Sequence, residues 1–432
     1  MASGPRSLPG VALPVLVVTF LALLCGERLR AGGRVTASPS TCDSIAPTVP
    51  ALPPSTAAPR RVFLAGGKTR AGPPTVRHLD PARTNRSPFR APLRPRVAWT
   101  FAAGAPIAMT PVIAGGRLVV GTLAGEVIFL GLDGVAHART TVGQRLYGSP
   151  AVIGPRVWLG ADHGLVLALN PDDGKITRRL RLESAADDAD TAILPGQPAG
   201  DDAGPGSIVF AAGPTVYAAA SDGRFLFRTS LGRKIYGSPA RLLDGGIVVG
   251  GQDDALHLLE PDGSVRARVP LGGDVDGSPA VGDDGSIFVG TDADEVVSVS
   301  PLGAVRWRTA VGGPVRGALA VARDGTVLAS TYGSAVAIVA LTPDRGAEVF
   351  RHRLPGTGAR EYGIHGAPIE AADGTLLFGG PDDQVHALTP AGDALWSVQV
   401  DGDVDGTLVL VDDEVLVACT SEGTVVRIED TP

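Results

Sequence analysis

The chain has 432 residues, of which 44% are hydrophobic and only 5% aromatic, and it contains 58 glycines and 36 prolines. Its net charge is −7, and 35 of its 38 basic residues are arginines scattered mostly singly. No cationic stripe therefore follows a phosphate backbone, which argues against nucleic acid as a partner. So many turn-forming residues predict short strands joined by tight turns.

Residues 1–37 have the pattern of an export signal. A mostly apolar run at 11–24 is shorter than the roughly 20 residues that span a bilayer, but it suits the apolar region of a signal peptide. Small residues at 35–37 offer a cleavage site. Cys25 directly after the apolar run gives an alternative, a lipoprotein, although Leu24 replaces the small residue that precedes a lipidated cysteine. We therefore predict export to the periplasm or the cell surface, with a membrane anchor only in the lipoprotein case.

A predicted linker follows at residues 38–96. Its composition changes to proline, alanine, threonine and arginine without alternation, which is typical of a flexible, extended tether. Cys42 in this linker and Cys419 near the C-terminus leave two interpretations open. Export permits a disulfide between them, or Cys419 is a small buried residue in a strand.

Self-similar segments recur through the rest of the chain. The clearest copies contain Gly-Ser-Pro, and alignment on the serine identifies eight copies spaced 39 to 49 residues apart. The anchors are Thr110, Ser149, Thr191, Ser238, Ser278, Ala318, Ala367 and Thr407. This is the period of a propeller blade with four short antiparallel strands.

Each copy has the same internal order. An inner strand, two further strands and a Pro-Asp-Gly type of turn precede a last strand with a bulky residue such as Trp307 or Trp396. The eighth copy has only three strands, and 97–104, with Trp99, supplies the missing fourth. Joining the termini in one blade leaves no open sheet edge. The sequence thus predicts an all-β, eight-bladed propeller at 97–432, closed by an N-terminal strand that completes the last blade.

The segment 168–175, Ala-Leu-Asn-Pro-Asp-Asp-Gly-Lys, resembles the repeat signature of the pyrroloquinoline-quinone (PQQ) type of propeller. In that signature Ala, an Asp-like residue, Gly-Lys and a later Trp recur in each blade. Arg178 stands in the place of the Trp, which occurs in other copies as Trp99, Trp307 and Trp396. The resemblance implies an eight-bladed fold, shared by quinoprotein dehydrogenases and by the lipoprotein scaffold of the outer-membrane protein assembly machinery.

This family contains enzymes and non-enzymes, and the fold does not distinguish them. The resemblance implies that the dehydrogenases place a vicinal disulfide against the quinone and hold calcium within extended inserts. Here no two cysteines adjoin, and the longest linkers, 182–207 and 353–365, contain no Trp to cover a cofactor. We therefore expect no catalytic residue and no cofactor, with a PQQ- and calcium-dependent oxidoreductase as the alternative.

Two further patterns resemble metal sites. His257 and His386 share a register that is apolar or aromatic in the other copies, so we interpret them as buried histidines with hydrogen-bond partners rather than metal ligands. Asp401, Asp403 and Asp405 alternate like the first ligands of a calcium loop. Strands rather than helices flank them, and we expect no metal there.

The inner strand of each blade lines the central channel, so the residue two before each anchor is expected at one mouth. These residues are Ala108, Tyr147, Ala189, Tyr236, Asp276, Arg316, His365 and Asp405. Small and aromatic side chains form one arc, and charged or titratable ones form the other. Two interpretations remain: a hydrated channel with mutually paired charges, or a binding site for an amphipathic ligand or a partner's loop. The candidate binding residues are Tyr147, Tyr236, Asp276, Arg316, His365 and Asp405.

The leading hypothesis is a non-catalytic, exported and monomeric propeller that serves as a protein-interaction scaffold in the cell envelope. Its partner would be a protein, and a lipid at Cys25 would be its one contact with a membrane. The alternatives are the oxidoreductase and a sensor that binds a small molecule at the channel mouth.

Overall fold

The structure is a computed structural model that describes residues 75–76, 78–184, 186–196, 206–334, 336–355 and 362–431. The predicted signal peptide, Cys25, Cys42 and the predicted linker up to residue 74 lie outside the described residues. The described ranges contain eight four-stranded antiparallel sheets and no helix. Within them, therefore, no helical segment has the length and apolar character needed to cross a membrane.

The strands are numbered in chain order, and each sheet is one blade. Blade 1 contains β2 (Val112–Ala114), β3 (Arg117–Gly121), β4 (Glu126–Gly131) and β5 (Ala136–Thr141). Blade 2 contains β6 (Ala151–Ile153), β7 (Arg156–Ala161), β8 (Leu165–Leu169) and β9 (Ile176–Arg181). Blade 3 contains β10 (Leu194–Pro195), β11 (Ile208–Ala212), β12 (Thr215–Ala219) and β13 (Phe225–Ser230). Blade 4 contains β14 (Ala240–Arg241), β15 (Ile247–Gly251), β16 (Ala255–Leu259) and β17 (Val265–Pro270).

The second half of the ring repeats this order. Blade 5 contains β18 (Ala280–Val281), β19 (Ile287–Gly290), β20 (Glu295–Val299) and β21 (Val305–Ala310). Blade 6 contains β22 (Ala320–Val321), β23 (Val327–Ser330), β24 (Ala337–Leu341) and β25 (Glu348–Arg353). Blade 7 contains β26 (Ile369–Glu370), β27 (Leu376–Gly379), β28 (Gln384–Leu388) and β29 (Ala394–Gln399). Blade 8 contains β30 (Val409–Asp412), β31 (Val415–Cys419), β32 (Thr424–Asp430) and β1 (Pro95–Ala102).

The predicted all-β, eight-bladed propeller is confirmed, including its closure. Strand β1 pairs antiparallel with β32, so the N-terminal strand completes the blade formed by the C-terminal residues. The two middle strands of each blade are almost entirely buried, as in β15 and β16, whereas outer strands such as β17 alternate. Because a middle strand packs on a neighbouring blade at each face, both of its faces are apolar.

The repeated tryptophan forms a hydrogen bond to the next blade. In blade 5 the register shifts between Ser298 and Val299 where β20 pairs with the outer strand, and such a bulge bends the outer strand and redirects its side chains. Trp307 then donates from Nε1 to the carbonyl oxygen of Pro343 in blade 6, at 2.9 Å. Trp99 donates in the same way to Leu132 across the closure between blades 8 and 1, at 3.0 Å.

The glycine of the Pro-Asp-Gly type of turn is required by this contact. Gly346 has φ +68°, and a Cβ there would lie 2.5 Å from Cε3 of Trp307. Thr309 also donates to the carbonyl oxygen of Gly346, at 2.8 Å. Turn geometry and inter-blade packing therefore both select glycine.

Anchor hydroxyls link several pairs of successive inner strands around the channel. The Oγ of Ser278 accepts the backbone N–H of Ser238 in the preceding blade, at 2.9 Å, and Thr110 accepts that of Thr407 across the closure, at 3.0 Å. Equivalent bonds reach Ser149 from Thr110 and Thr407 from Ala367. The repeated serine is thus part of the blade architecture, because it satisfies a buried backbone donor.

Residues 78–94, which we call the strap, cross the end of the channel away from the anchors. The inner-strand amides of Val281 and Val321 donate to the carbonyl oxygens of Ala82 and Thr84, at 2.9 and 3.0 Å. Further along, Glu370 donates to the strap residue Asn85 at 2.9 Å. Because every inner strand starts at its anchor, these contacts place the strap at the opposite end of the channel.

Buried polar side chains hold the strap in place. Asn85 is fully buried, donates from Nδ2 to Leu319 at 2.9 Å and lies 2.9 Å, through Oδ1, from Nδ1 of His78. Arg83, 1% exposed, donates from Nε to the carbonyl oxygen of Pro239 at 2.6 Å. The expected tether up to residue 96 thus differs from the structure at 78–94, which packs on the propeller, and it remains a prediction for the residues before 75.

Candidate functional site

The structure brings all six candidate binding residues together at the channel mouth. A cavity of about 390 Å³ is lined by Tyr147, Tyr236, Asp276, Arg316, His365 and Asp405, together with Ala108 and Tyr332. An adjoining cavity of about 460 Å³ shares Ala108, Tyr147 and Tyr236 with it. The rule that placed one residue per blade two positions before the anchor therefore locates the mouth correctly.

Blade 3 is the exception. The N–H of Ala192, rather than that of Thr191, donates to the Oγ of Ser238, so Ala192 occupies the anchor position. The mouth residue of this blade is consequently Asp190, whereas the predicted Ala189 is buried, 2% exposed. Thr191 instead bonds Ala211 within its own blade. The start of the inner strand marks the correct anchor, because β10 begins two residues after Ala192, just as β14 begins two residues after Ser238.

Asp190 and Asp276 share an electrostatic environment that favours their protonated forms. Burial raises the pKa of each carboxyl to about 6, and nearby carboxylates add to the effect, Asp188 at the first and Asp292 and Asp274 at the second. One oxygen of each carboxyl is buried without a hydrogen-bond partner among the described residues. The mouth therefore concentrates negative charge that is only partly neutralised.

Arg316 lies beside Asp276, and its charge opposes the rise in the pKa of that carboxyl. Its guanidinium forms a bidentate pair with Asp292, from Nε to Oδ1 at 2.9 Å and from Nη2 to Oδ2 at 2.8 Å. Both side chains are less than one-fifth exposed. The geometry fixes the arginine in the mouth wall, because a planar guanidinium matches a carboxylate in this fork.

His365 and Asp405 form the remaining titratable pair. Burial raises the pKa of Asp405, and the nearby His365 opposes that shift. The exposed His365 ring packs edge-on against Tyr332, with ring centroids 5.0 Å apart. A proton or a cation at this position would face one carboxylate and one aromatic ring.

The arc predicted to be small and aromatic also carries charge. Lys234 places its Nζ 4.3 Å from the centroid of the Tyr236 ring, and Arg145 lies over Tyr147 at 5.6 Å. Arg145 also pairs with Asp162 at 2.7 Å. The predicted contrast between an apolar and a polar arc is therefore wrong, because neighbouring turns bring cations and carboxylates over the tyrosines.

The other candidates lie away from the mouth cavity. His257 and His386 are buried, and each contacts the aspartate four residues before it, Asp253 or Asp382, at 3.0 Å, as expected for core histidines. Asp401 accepts a hydrogen bond from Thr420 at 2.9 Å. In the described ranges, no group of three or more potential metal ligands occurs.

Cys419 is a small buried residue in a strand, which is the second of the two interpretations of this cysteine. It is a free thiol, 2% exposed in β31, and burial raises its pKa to about 12. The proposed partner Cys42 lies outside the described residues, so the disulfide stays a prediction.

The fold defines the class of this protein as an eight-bladed β-propeller. A family model described as outer membrane protein assembly factor BamB matches residues 252–359 and 334–431. The resemblance of the repeats to the PQQ-type propeller family is thereby confirmed, and the matching model is the one named for the assembly factor. No curated protein matches the sequence.

Solved structures show the same fold at low sequence identity. BamB from Moraxella catarrhalis has a TM-score of 0.63 at 15% identity, over 78% of this chain and 99% of that chain. Quinohemoprotein alcohol dehydrogenase from Comamonas testosteroni has a TM-score of 0.69 at 11% identity, over 84% and 81%. A europium-containing methanol dehydrogenase has a TM-score of 0.69 at 11% identity, over 83% and 98%. These likenesses concern the fold alone, and they include both an assembly factor and dehydrogenases.

Proposed function

We propose that the protein is a non-catalytic interaction scaffold of the cell envelope, and that its channel mouth receives a positively charged segment of a protein partner. The observation that carries this proposal is the mouth itself, where the half-buried Asp190, Asp276 and Asp405 face a cavity with tyrosine walls. The match to the assembly-factor family over 252–431 supports a protein partner and an envelope location.

The chemistry of the mouth selects the partner's charge. An incoming lysine or arginine would neutralise carboxylates that repel one another, and the apolar stem of its side chain would pack on the tyrosine walls of the cavity. The strap occupies the other end of the channel, so the segment would enter and leave by the same opening. Export, a Cys25 anchor and a monomeric state complete the proposal, and they rest on the sequence patterns described above.

A photo-crosslinking amino acid can test which face binds. Placed at Tyr236, which is 44% exposed at the mouth, it is expected to give discrete protein adducts in envelopes of the producing cell. The matched control is Leu302, 84% exposed in a turn of blade 5 on the opposite face. Adducts from Leu302 alone, or from neither position, would contradict the proposal.

A small-molecule sensor is the second candidate, favoured by the size of the cavity, since ligand sites commonly span about 300 to 1,000 Å³. In that case Tyr236 crosslinks to no protein, and metabolites raise the melting temperature of the wild type but not of an Asp276→Asn variant.

The oxidoreductase has its own readout. Added PQQ and calcium would have to produce a visible absorbance band and reduce a dye.

A further inference from the structure

A separate cavity lies between blades 3 and 4, on the face opposite the mouth. It measures about 230 Å³. Its polar lining includes Ser207, just before β11, and Arg241, the last residue of the inner strand β14. Both residues lie at the strap end of the propeller, because the inner strands run away from the mouth. The cavity is thus separate from the proposed partner site.

Arg241 is a buried cation with neutral partners. It is 8% exposed, and its guanidinium donates to the carbonyl oxygens of Gly245, at 3.1 Å, and Pro195. In the described part of the chain it forms no ion pair. Burial lowers the pKa of Arg241 to about 10, the direction expected for a desolvated cation. A buried charge is normally paired, so this site favours an anion.

Ser207 supplies a second donor on the same cavity. The residue is 1% exposed, and its Oγ has no hydrogen-bond partner among the described residues. Buried hydroxyls are nearly always bonded to protein or to a bound molecule. Arg241 and Ser207 therefore provide an N–H fork and an O–H group to one ligand.

The rest of the lining is largely apolar. Val209, Leu226 and Phe227 form walls of the cavity, and one further cation, Arg224, and one carboxylate, Asp262, also line it. Apolar walls suit a short hydrocarbon body, and the carboxylate disfavours a doubly charged head group. A planar carboxylate also matches the guanidinium fork better than a point charge does.

We propose that this cavity binds a small organic monocarboxylate, with its head group at Arg241 and Ser207 and its hydrocarbon body against Leu226 and Phe227. The site is independent of the proposed scaffold function, because it shares no residue with the mouth. Its occupant would neutralise the buried guanidinium and join blade 3 to blade 4.

Calorimetry and thermal melting of the full-length protein test the proposal, with hexanoate as the probe. Hexanoate is expected to bind the wild type and raise its melting temperature, whereas hexanamide and inorganic phosphate leave it unchanged. Arg241→Met is expected to weaken hexanoate binding at least tenfold, and Ser207→Ala severalfold. The control Arg306→Met changes an exposed arginine of blade 5 and should bind hexanoate as the wild type does.

Two results would overturn the proposal: a wild type that does not bind millimolar hexanoate, and an Arg241→Met variant that binds hexanoate as well as the wild type does. If Arg241→Met does not fold, Ser207→Ala carries the test, since a serine-to-alanine change removes one hydroxyl and no charge.

Discussion

At the scale of single residues, the partly buried carboxylate of Asp276 lowers the stability of the folded protein at neutral pH. Its carboxyl has a pKa of about 6 in the folded protein, against an ordinary value of 3.8. A raised pKa means that the folded state binds the proton more tightly than the unfolded state does. This contribution to stability is complete below pH 3.8 and is lost as the pH rises through 6.

Asp276→Asn should therefore stabilise the protein at pH 7.5 and have much less effect at pH 5. We expect a gain of about 1 kcal/mol at the higher pH, because solvent screens a half-exposed group and reduces the ~3 kcal/mol of a full shift. Urea unfolding at the two pH values measures it. In the control Asp262→Asn, the Ser264 hydrogen bonds lower the pKa of the replaced carboxyl, so this variant should not gain stability at pH 7.5.

Gly346→Ala tests the aromatic contact between blades 5 and 6. A Cβ at this position requires a strained φ and also displaces the ring of Trp307 and the hydroxyl of Thr309 packed beside it. Gly312→Ala is the matched control, because Gly312 has φ +80° but open space around its Cβ position. We expect a loss of about 1 kcal/mol for the control and about 3 kcal/mol for Gly346→Ala, since overpacking adds to the backbone strain. Equal losses in thermal unfolding would mean that the ring contact contributes nothing.

At the scale of elements, the strap is the part that the sequence did not predict. Its composition is that of a tether, and residues such as Pro81 and Ala82 contact the inner strands through backbone carbonyl oxygens. Backbone contacts leave no periodic side-chain signal, so hydrophobic patterning could not find them. The blades, in contrast, were predictable because every copy repeats the anchor, the turn glycine and the aromatic residue.

Asn85→Ala should detach the strap from the inner strands. The change removes the buried hydrogen bond from Asn85 to the carbonyl oxygen of Leu319 and the contact of Asn85 with Nδ1 of His78, which we expect to cost about 2 to 3 kcal/mol. The amides of Val281 and Val321, which donate to the strap, should then exchange hydrogen faster. The amide of Val297 in the middle strand β20 serves as the reference. Unchanged exchange at the inner strands would contradict the assigned role of Asn85.

The error in blade 3 has an equally physical cause. The other mouth positions were found because Ser, Thr or an alanine directly after glycine marks the anchor, whereas the anchor of blade 3 is Ala192, which follows Thr191. Thr191 beside it carries the expected hydroxyl but bonds within its own blade. A one-residue shift in a strand reverses which side chain faces the channel, so Ala189 replaced Asp190 in the prediction.

At the scale of the whole molecule, the ring has two different ends. The mouth is open and collects carboxylates from several blades, while the strap crosses the other end with Arg83 and Asn85 buried. The sequence predicted the position of the mouth from the repeat alone. Its charge balance depends on turns that approach from neighbouring blades, such as the one carrying Asp292, and these pairings required the structure.

The most direct measurement is the crosslinking yield at Tyr236 in an Asp190→Asn/Asp276→Asn/Asp405→Asn variant compared with the wild type. Removing three carboxylates leaves the blade architecture intact and abolishes the attraction for a cationic segment, so the yield should fall at least tenfold. The wild-type yield should also fall as salt is raised, because exposed charges are screened. A yield that is unchanged by the triple substitution would show that the charge of the mouth does not recruit the partner.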